Sequence, residues 1–162
     1  MITTTFAERR QLEQLDQEAL ERHQLARLNQ LLKTILPHNH FYAEKFAGIS
    51  AAMLADPAGP LTSLDQFAEL PFTFKDELVS SRHPGDLAAN LTFPIERYTR
   101  FHQTSGTRGR PLAVLDTADD WAWWINCWQF VLDAAEVAPG DRVLMAFSFG
   151  PFVGFWSAFD AA

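Results

Sequence analysis

The feature that most constrains the fold is a tryptophan-rich segment at residues 121–137, which the sequence predicts to be a helix. Apolar side chains occupy three stripes at helical spacing: Trp121, Ile125, Trp128 and Leu132; Trp123, Cys127 and Phe130; and Trp124 with Val131. A helix that is apolar all round has to be buried on most of its sides. We therefore expect other chain or a partner subunit to cover it, and the second case would be a homo-oligomer formed through this helix.

The segments around this helix predict an α/β fold. Alternating residues at 97–103 and a short apolar run at 112–115 predict two strands joined by a loop. Residues 116–120 supply helix caps, and the apolar run at 142–149 predicts a buried strand. Strand, helix and strand in this order would form a right-handed βαβ unit.

The residues before these strands predict a helical region. Apolar residues recur at helical spacing over residues 8–36, which favours an amphipathic helix broken once, and Pro37 ends the run. A short helix with Ser63 as its cap is expected at 64–70. We expect a helical N-terminal region at residues 1–90 and the start of an α/β domain at 91–162.

The loop between the two predicted strands has the composition of a phosphate-binding site. Residues 104–111 read Thr-Ser-Gly-Thr-Arg-Gly-Arg-Pro, and residues 97–110 hold four arginines and no acid in a chain of net charge −7. Glycines let backbone N–H groups approach an anion, and arginine supplies charge. Such a narrow basic segment favours a small anion over nucleic acid. The alternative is an ordinary glycine-containing hairpin with surface arginines.

Composition excludes several classes of protein. A hydrophobic content of 48% argues against wholesale disorder, and one cysteine excludes an internal disulfide framework. Residues 143–159 carry no charge, but the run is short for a membrane span and Gly150 and Pro151 interrupt it. The N-terminus lacks the charge pattern of a signal peptide. We therefore expect a cytoplasmic protein without a membrane segment.

Three further residue patterns carry weaker functional signals. His38 and His40 could bind a metal, although a third ligand is missing nearby and a local structural role is the main alternative. His102 could act as a base, but its place in an alternating strand favours a partly exposed structural residue. Cys127 lies among tryptophans without a neighbouring cation, which favours a buried, inert thiol.

Four segments together resemble one enzyme family. They are residues 70–78 (LPFTFKDEL), 104–111 (TSGTRGRP), 137–143 (VAPGDRV) and 148–154 (SFGPFVG). In this order and spacing they resemble phenylacetate–CoA ligase and its relatives in the adenylate-forming superfamily of acyl-CoA synthetases. The resemblance implies that residues 91–162 begin a nucleotide-binding domain. It also implies activation of a carboxylic acid with ATP and Mg²⁺, followed by transfer to CoA.

The resemblance also implies roles for individual residues. It assigns Thr104, Ser105, Gly106, Thr107 and Gly109 to the phosphates of ATP, with Arg110 where relatives usually have lysine. It places Phe149, Gly150 and Phe152 near the acid, which would then be aromatic; simple core packing is the alternative. Arg108 departs from the family pattern, in which a small or hydroxyl residue is common.

The family's later motifs, which bind adenine and ribose, place magnesium and supply a catalytic lysine, have no counterpart in this sequence. We therefore expect an incomplete fold and a chain that is inactive alone, with its status as an enzyme open. The leading interpretation is the N-terminal part of an acyl-CoA ligase. The alternative is a non-catalytic, truncated relative that forms oligomers or binds a partner protein.

Overall fold

The computed structural model describes residues 4–49, 51–79, 87–106, 109–147 and 149–162, apart from the side chain of residue 52. These residues form two compact units. One unit is Gln14–Pro94, and the other joins the residues through Glu13 to Ile95–Ala162. The described residues are mostly helical with a small two-stranded sheet, which confirms the mixed α/β class.

The first unit is helical. The bounds of its helices are α2 Gln17–Ile35, α3 His40–Lys45, α4 Ala51–Ala55, α5 Leu64–Ala68 and α6 Lys75–Val79. The preceding helix α1, Phe6–Glu13, belongs to the other unit, so the expected break in the long N-terminal helix lies between Glu13 and Gln17. Asp16 and Ser63 cap α2 and α5 through their side-chain oxygens, which confirms Ser63 as a cap.

The core of the helical unit forms around Leu32, Leu36 and Leu61, which pack with partly buried apolar residues from α2, α3 and the segments that follow. Buried Asn29 holds the chain against α2 beside this core. Its amide donates to the carbonyls of Ala58 and Leu61, and its Oδ1 accepts from the Leu61 N–H. Gly59 lies against Asn29 with a φ of 105°, so a Cβ there would come 2.3 Å from the Asn29 Cγ.

Asn39, between the two histidines considered as metal ligands, has a structural role. Its Oδ1 accepts from the Tyr42 N–H and caps α3, while its amide donates to the Asn90 carbonyl and the Thr92 hydroxyl. His38 and His40 are exposed. The described part of the chain holds no group of three or more His, Cys, Asp or Glu side chains that could bind a metal ion.

The second unit is built on a β-hairpin and two helices. Strands β1 Tyr98–Gln103 and β2 Ala113–Thr117 pair antiparallel after a 3-10 turn at Ile95–Arg97. Helix α7 spans Ala118–Ala134 and helix α8 spans Val153–Ala161. Thr117 and Asp120 form a capping box at the start of α7, with reciprocal bonds between each side chain and the other residue's N–H. The loop at 104–112 thus joins two strands, as predicted.

The predicted strand at residues 142–149, and with it the βαβ unit, is wrong. The described residues from Asp141 to Phe147 form neither strand nor helix, and the Leu144 side chain is 88% exposed. A strand needs neighbours for its backbone N–H and C=O groups. Within the described residues β1 and β2 pair only with each other, so neither strand pairs with the residues of this apolar run.

Helix α7 packs against α8 and the hairpin along one of its sides. Trp121 and Ile125 are buried against Ala161 of α8, with Trp124, Trp128 and Leu132 packed around them. Three indole N–H groups of α7 donate to acceptors on neighbouring elements: Trp121 to Asp160, Trp124 to Asp116 and Trp128 to the Ser157 hydroxyl. Trp123 and Val131 on other sides are each 52% exposed. The expected stripe 121/125/128/132 therefore lies on a buried face of the helix.

An ion pair fixes α1 to α7. The Arg9 guanidinium donates to both carboxylate oxygens of Asp133, at 2.6 and 3.0 Å, and to the Thr4 carbonyl at 2.7 Å. Both side chains are nearly buried. The hydrogen bond from Arg9 lowers the pKa of Asp133, and the bond to Asp133 raises the pKa of Arg9.

We expect Asp133→Asn to lower the free energy of unfolding by about 2 kcal/mol at neutral pH, because a charged hydrogen bond in a nearly buried site is lost. Because the Asp133 pKa is lowered in the folded protein, the ion pair stabilises the fold fully at pH values above the ordinary carboxyl pKa of 3.8. This stabilisation is lost as the pH falls through the folded-state pKa of Asp133. Urea unfolding at several pH values measures it, with exposed Asp119→Asn as the control. A difference between wild type and Asp133→Asn that persists unchanged at about pH 2 would contradict this account.

Candidate functional site

The loop between β1 and β2 is closed at its neck by Thr104 and Leu112. The Thr104 N–H donates to the Leu112 carbonyl at 3.0 Å, and the Leu112 N–H donates to the Thr104 hydroxyl oxygen at 2.9 Å. A hydroxyl that accepts in this way keeps its own hydrogen as a donor. Thr104 therefore shapes the loop, and its hydroxyl hydrogen remains available for a ligand.

Both loop glycines have conformations that favour glycine. Gly106 has a φ of 68° and Gly109 a φ of 135°, and the Gly109 N–H donates to the Gly106 carbonyl at 3.0 Å. A Cβ at Gly106 would lie 3.0 Å from the Gly109 carbonyl oxygen and from the Pro111 ring, whereas a Cβ at Gly109 would meet no atom of the described residues within 4 Å. The backbone at Gly109 is thus open to close approach by another molecule.

Other loop residues are also predicted to bind phosphate. Ser105 and Arg110 are exposed, and Thr107 lies outside the described residues together with Arg108. Of the basic segment around the loop, Arg100 is already engaged: it pairs with Asp160 at 2.9 Å and its guanidinium lies 4.5 Å from the centre of the Trp121 ring. The charge that the loop itself offers to an anion therefore includes exposed Arg110.

The loop lies beside the second predicted site, the aromatic segment around Gly150. The Gln103 N–H, one residue before the loop, donates to the Pro151 carbonyl at 2.8 Å. The loop and the aromatic segment are far apart in the sequence, and this backbone hydrogen bond joins the residues beside them in the fold. A ligand held at the loop and a group held at the aromatic segment would consequently be neighbours.

The aromatic segment is partly exposed. Phe149 is 41% exposed and packs against Trp156 and Phe159, with ring centres 4.8 and 5.3 Å apart. The Trp156 indole donates to the Gly150 carbonyl, and a Cβ at Gly150 would lie 3.1 Å from the Phe152 ring. Phe152 is half-buried, and its ring packs edge-on against that of Phe155 at 5.7 Å.

His102 is the main difference between the expected and observed sites. The alternating strand pattern predicted partial exposure, but the side chain is 4% exposed. Its Nδ1 lies 3.2 Å from Oδ2 of buried Asp116, and its ring stacks on Trp121 at 5.3 Å. Sequence reasoning missed Asp116, although an acid that follows the apolar run of a short strand was a usable signal.

Cys127 is less buried than expected. The thiol is partly buried in α7, and burial raises its pKa. A raised pKa keeps the thiol protonated, which disfavours nucleophilic chemistry.

Comparison with known proteins identifies the relatives of this fold. The chain is 34% identical over 137 residues to a phenylacetate–CoA ligase of Pseudomonas putida. This match covers 85% of the chain and 29% of the ligase. The chain is 32% identical over 154 residues to the phenylacetate–CoA ligase of Escherichia coli K12, covering 95% of this chain and 33% of the ligase. The chain matches the N-terminal portion of phenylacetate–CoA ligase-like, adenylate-forming enzymes. No family model matches it.

Solved structures give the same result. A 2-hydroxyisobutyryl-CoA ligase in an open conformation, bound to 2-HIB-AMP and CoA, superposes with a TM-score of 0.78 at 26% identity. That match covers 94% of this chain and 34% of the ligase. A postadenylation structure of 2-hydroxyisobutyryl-CoA ligase gives a TM-score of 0.73. The chain therefore spans about a third of the length of these phenylacetate–CoA ligase relatives and solved ligases.

Among the described residues, every helix is too short or too polar to cross a bilayer.

Proposed function

We propose that this chain supplies the phosphate-binding loop and part of the acid pocket of an ATP-dependent acyl-CoA ligase. In the proposed reaction the substrate carboxylate attacks the α-phosphate of ATP, which forms an acyl-adenylate and releases pyrophosphate. The thiol of CoA then attacks the acyl carbon and displaces AMP. The chain alone carries the binding of phosphate, and the complete reaction needs residues that the ligases hold beyond the matched third.

One observation carries the proposal: a hairpin loop with two positive-φ glycines is hydrogen-bonded at its base to an aromatic segment. The Ser105 hydroxyl and the Arg110 guanidinium are exposed donors suited to pyrophosphate, on which negative charge develops as it leaves, and the space beside Gly109 lets the anion approach the loop closely. The Gln103–Pro151 bond brings this loop beside Phe149. An acid seated there would lie next to the phosphates of ATP.

Magnesium fits this scheme as part of the substrate. Mg²⁺ is usually held by one or two carboxylates together with substrate phosphates. The described residues contain no group of three or more potential ligand side chains. We therefore propose that the metal arrives as Mg–ATP, with the loop binding the phosphates that carry it.

The acid is proposed to be aromatic. Phe149 is partly exposed, and its ring contacts the rings of Phe147, Trp156 and Phe159. Aromatic rings prefer offset or edge-to-face contacts with other rings. A phenylacetate-like acid would gain such a contact from Phe149, whereas a small aliphatic acid would not.

Gly109→Ala tests the phosphate-binding loop. The substitution strains the backbone at a positive φ and fills the open approach to the loop, so we expect Mg–ATP affinity to fall about tenfold or more. Calorimetric titration of the purified chain measures this affinity. Gly140→Ala is the matched control, because Gly140 also has a positive φ, of 101°, and open space but lies in another turn. Equal affinities for the two variants would overturn the assignment.

A second candidate function, oligomerisation, rests on the exposed side of α7. Trp123 and Val131 are eight residues apart and each is 52% exposed, so they can belong to one apolar helix face. We expect a second copy of the chain to cover this face if the chain is an interaction protein. A sedimentation coefficient that rises with protein concentration in wild type, but not in Trp123→Gln, would support oligomerisation through this face. A monomer at every concentration would exclude it.

A further inference from the structure

Asp116 joins three elements at the stem of the loop hairpin. It lies on β2, is 5% exposed, and both of its carboxylate oxygens have donors. Oδ2 lies 3.2 Å from Nδ1 of His102 on β1, and Oδ1 accepts from the Trp124 indole of α7 at 3.3 Å. A buried carboxylate is costly unless it is hydrogen-bonded, so these two partners fix where Asp116 can lie.

His102 is held equally firmly. Its ring stacks on Trp121 with an interplanar angle of 11°. A carboxylate can only accept, so the imidazole Nδ1 has to carry a hydrogen for the bond to Asp116. His102 also comes directly before Gln103, whose N–H binds the Pro151 carbonyl, and two residues before Thr104 at the loop neck.

Asp116 bonds to His102 and not to the residue opposite it on β1. In the strand register Asp116 faces Arg100, and His102 is the diagonal neighbour. An aspartate and an arginine facing each other would form an ion pair in the simplest arrangement. Instead, Arg100 pairs with Asp160 above the Trp121 ring, which leaves Asp116 to His102 and Trp124.

We infer that His102 and Asp116 are positioning residues for the phosphate-binding loop. Their hydrogen bond joins β1 to β2 two residues before Thr104 and four residues after Leu112, so that Gly106 and Gly109 hold their conformations before a ligand arrives. A loop that is ordered in advance binds its ligand with a smaller loss of conformational entropy. The role in ligand binding rests on the proposed function, whereas the ordering of the loop can be measured without a ligand.

His102→Phe tests the inference. Phenylalanine keeps a ring against Trp121 but removes the Nδ1 hydrogen, so the hydrogen bond to Asp116 is lost. In the ligand-free chain we expect amide hydrogen exchange at Gly109 and Leu112, whose N–H groups close the loop, to become about tenfold faster or more. Mg–ATP affinity should fall by a similar factor. The ¹⁵N signals of the wild-type imidazole should show a hydrogen on Nδ1.

Two further variants separate positioning from general damage. Trp128→Phe removes the indole bond to Ser157 elsewhere on α7, and it should leave exchange at Gly109 and Leu112 unchanged. His102→Gln keeps an N–H donor and should recover part of the protection lost in His102→Phe. If His102→Phe does not fold, Asp116→Asn, which weakens the same bond but retains one acceptor oxygen, replaces it in the comparison.

The outcomes distinguish this inference from the proposed function. Unchanged exchange at Gly109 and Leu112 in the folded variant would overturn the positioning role, whatever the nucleotide result. Faster exchange with no Mg–ATP binding by wild type would support the role of His102 in ordering the loop and contradict the phosphate-binding proposal. Faster exchange together with weaker Mg–ATP binding supports both.

Discussion

The unit that carries the candidate site depends on how the tryptophans of α7 combine apolar surface with directed hydrogen bonds. Burial of large aromatic rings drives helix, hairpin and α8 together but specifies no orientation. The indole N–H groups of Trp121, Trp124 and Trp128 supply it, because each requires an acceptor once buried. Their acceptors lie on α8 for Trp121 and Trp128 and on β2 for Trp124. The hairpin and α8 thus take fixed positions on one helix.

The same packing explains why the loop and the aromatic segment meet. The hairpin and α8 are both fixed to α7, so the chain leaving β1 and the chain entering α8 come within hydrogen-bond distance at Gln103 and Pro151. Two regions far apart in sequence thus become neighbours, and the ion pair between Arg100 on β1 and Asp160 on α8 also joins the hairpin to α8. Packing on α7 therefore determines where the candidate site lies, and the residues of the loop supply its binding groups.

The sequence predicted the elements whose signals are local. The helix cap within residues 116–120, the Ser63 cap and the hairpin around the glycine loop all depend on residues close to one another in sequence. The reciprocal bonding of Thr117 with Asp120 was found only in the structure. The resemblance to phenylacetate–CoA ligases, drawn from four short segments, agrees with the relatives found over most of the chain. The roles of individual loop residues, and the domain boundary at residue 90, stay predictions.

The expectations that failed depended on partners distant in sequence. The run at 142–149 was apolar enough for a buried strand, but strand formation requires a neighbouring strand, which the local sequence does not report. His102 looked half-exposed because strand alternation cannot reveal an aspartate 14 residues away that accepts its hydrogen bond. The ion pair of Arg9 with Asp133 joins residues 124 positions apart and was equally hidden.

The central claim is that the β1–β2 loop forms a phosphate-binding site within this chain. The most direct test is an NMR titration with magnesium pyrophosphate, the smallest probe that carries the proposed chemistry, with adenosine as the control. The account predicts saturable shifts of the Gly106 and Gly109 amide signals with pyrophosphate and none with adenosine. Signals that stay in place with pyrophosphate, in a sample whose spectrum shows a folded hairpin, would contradict it.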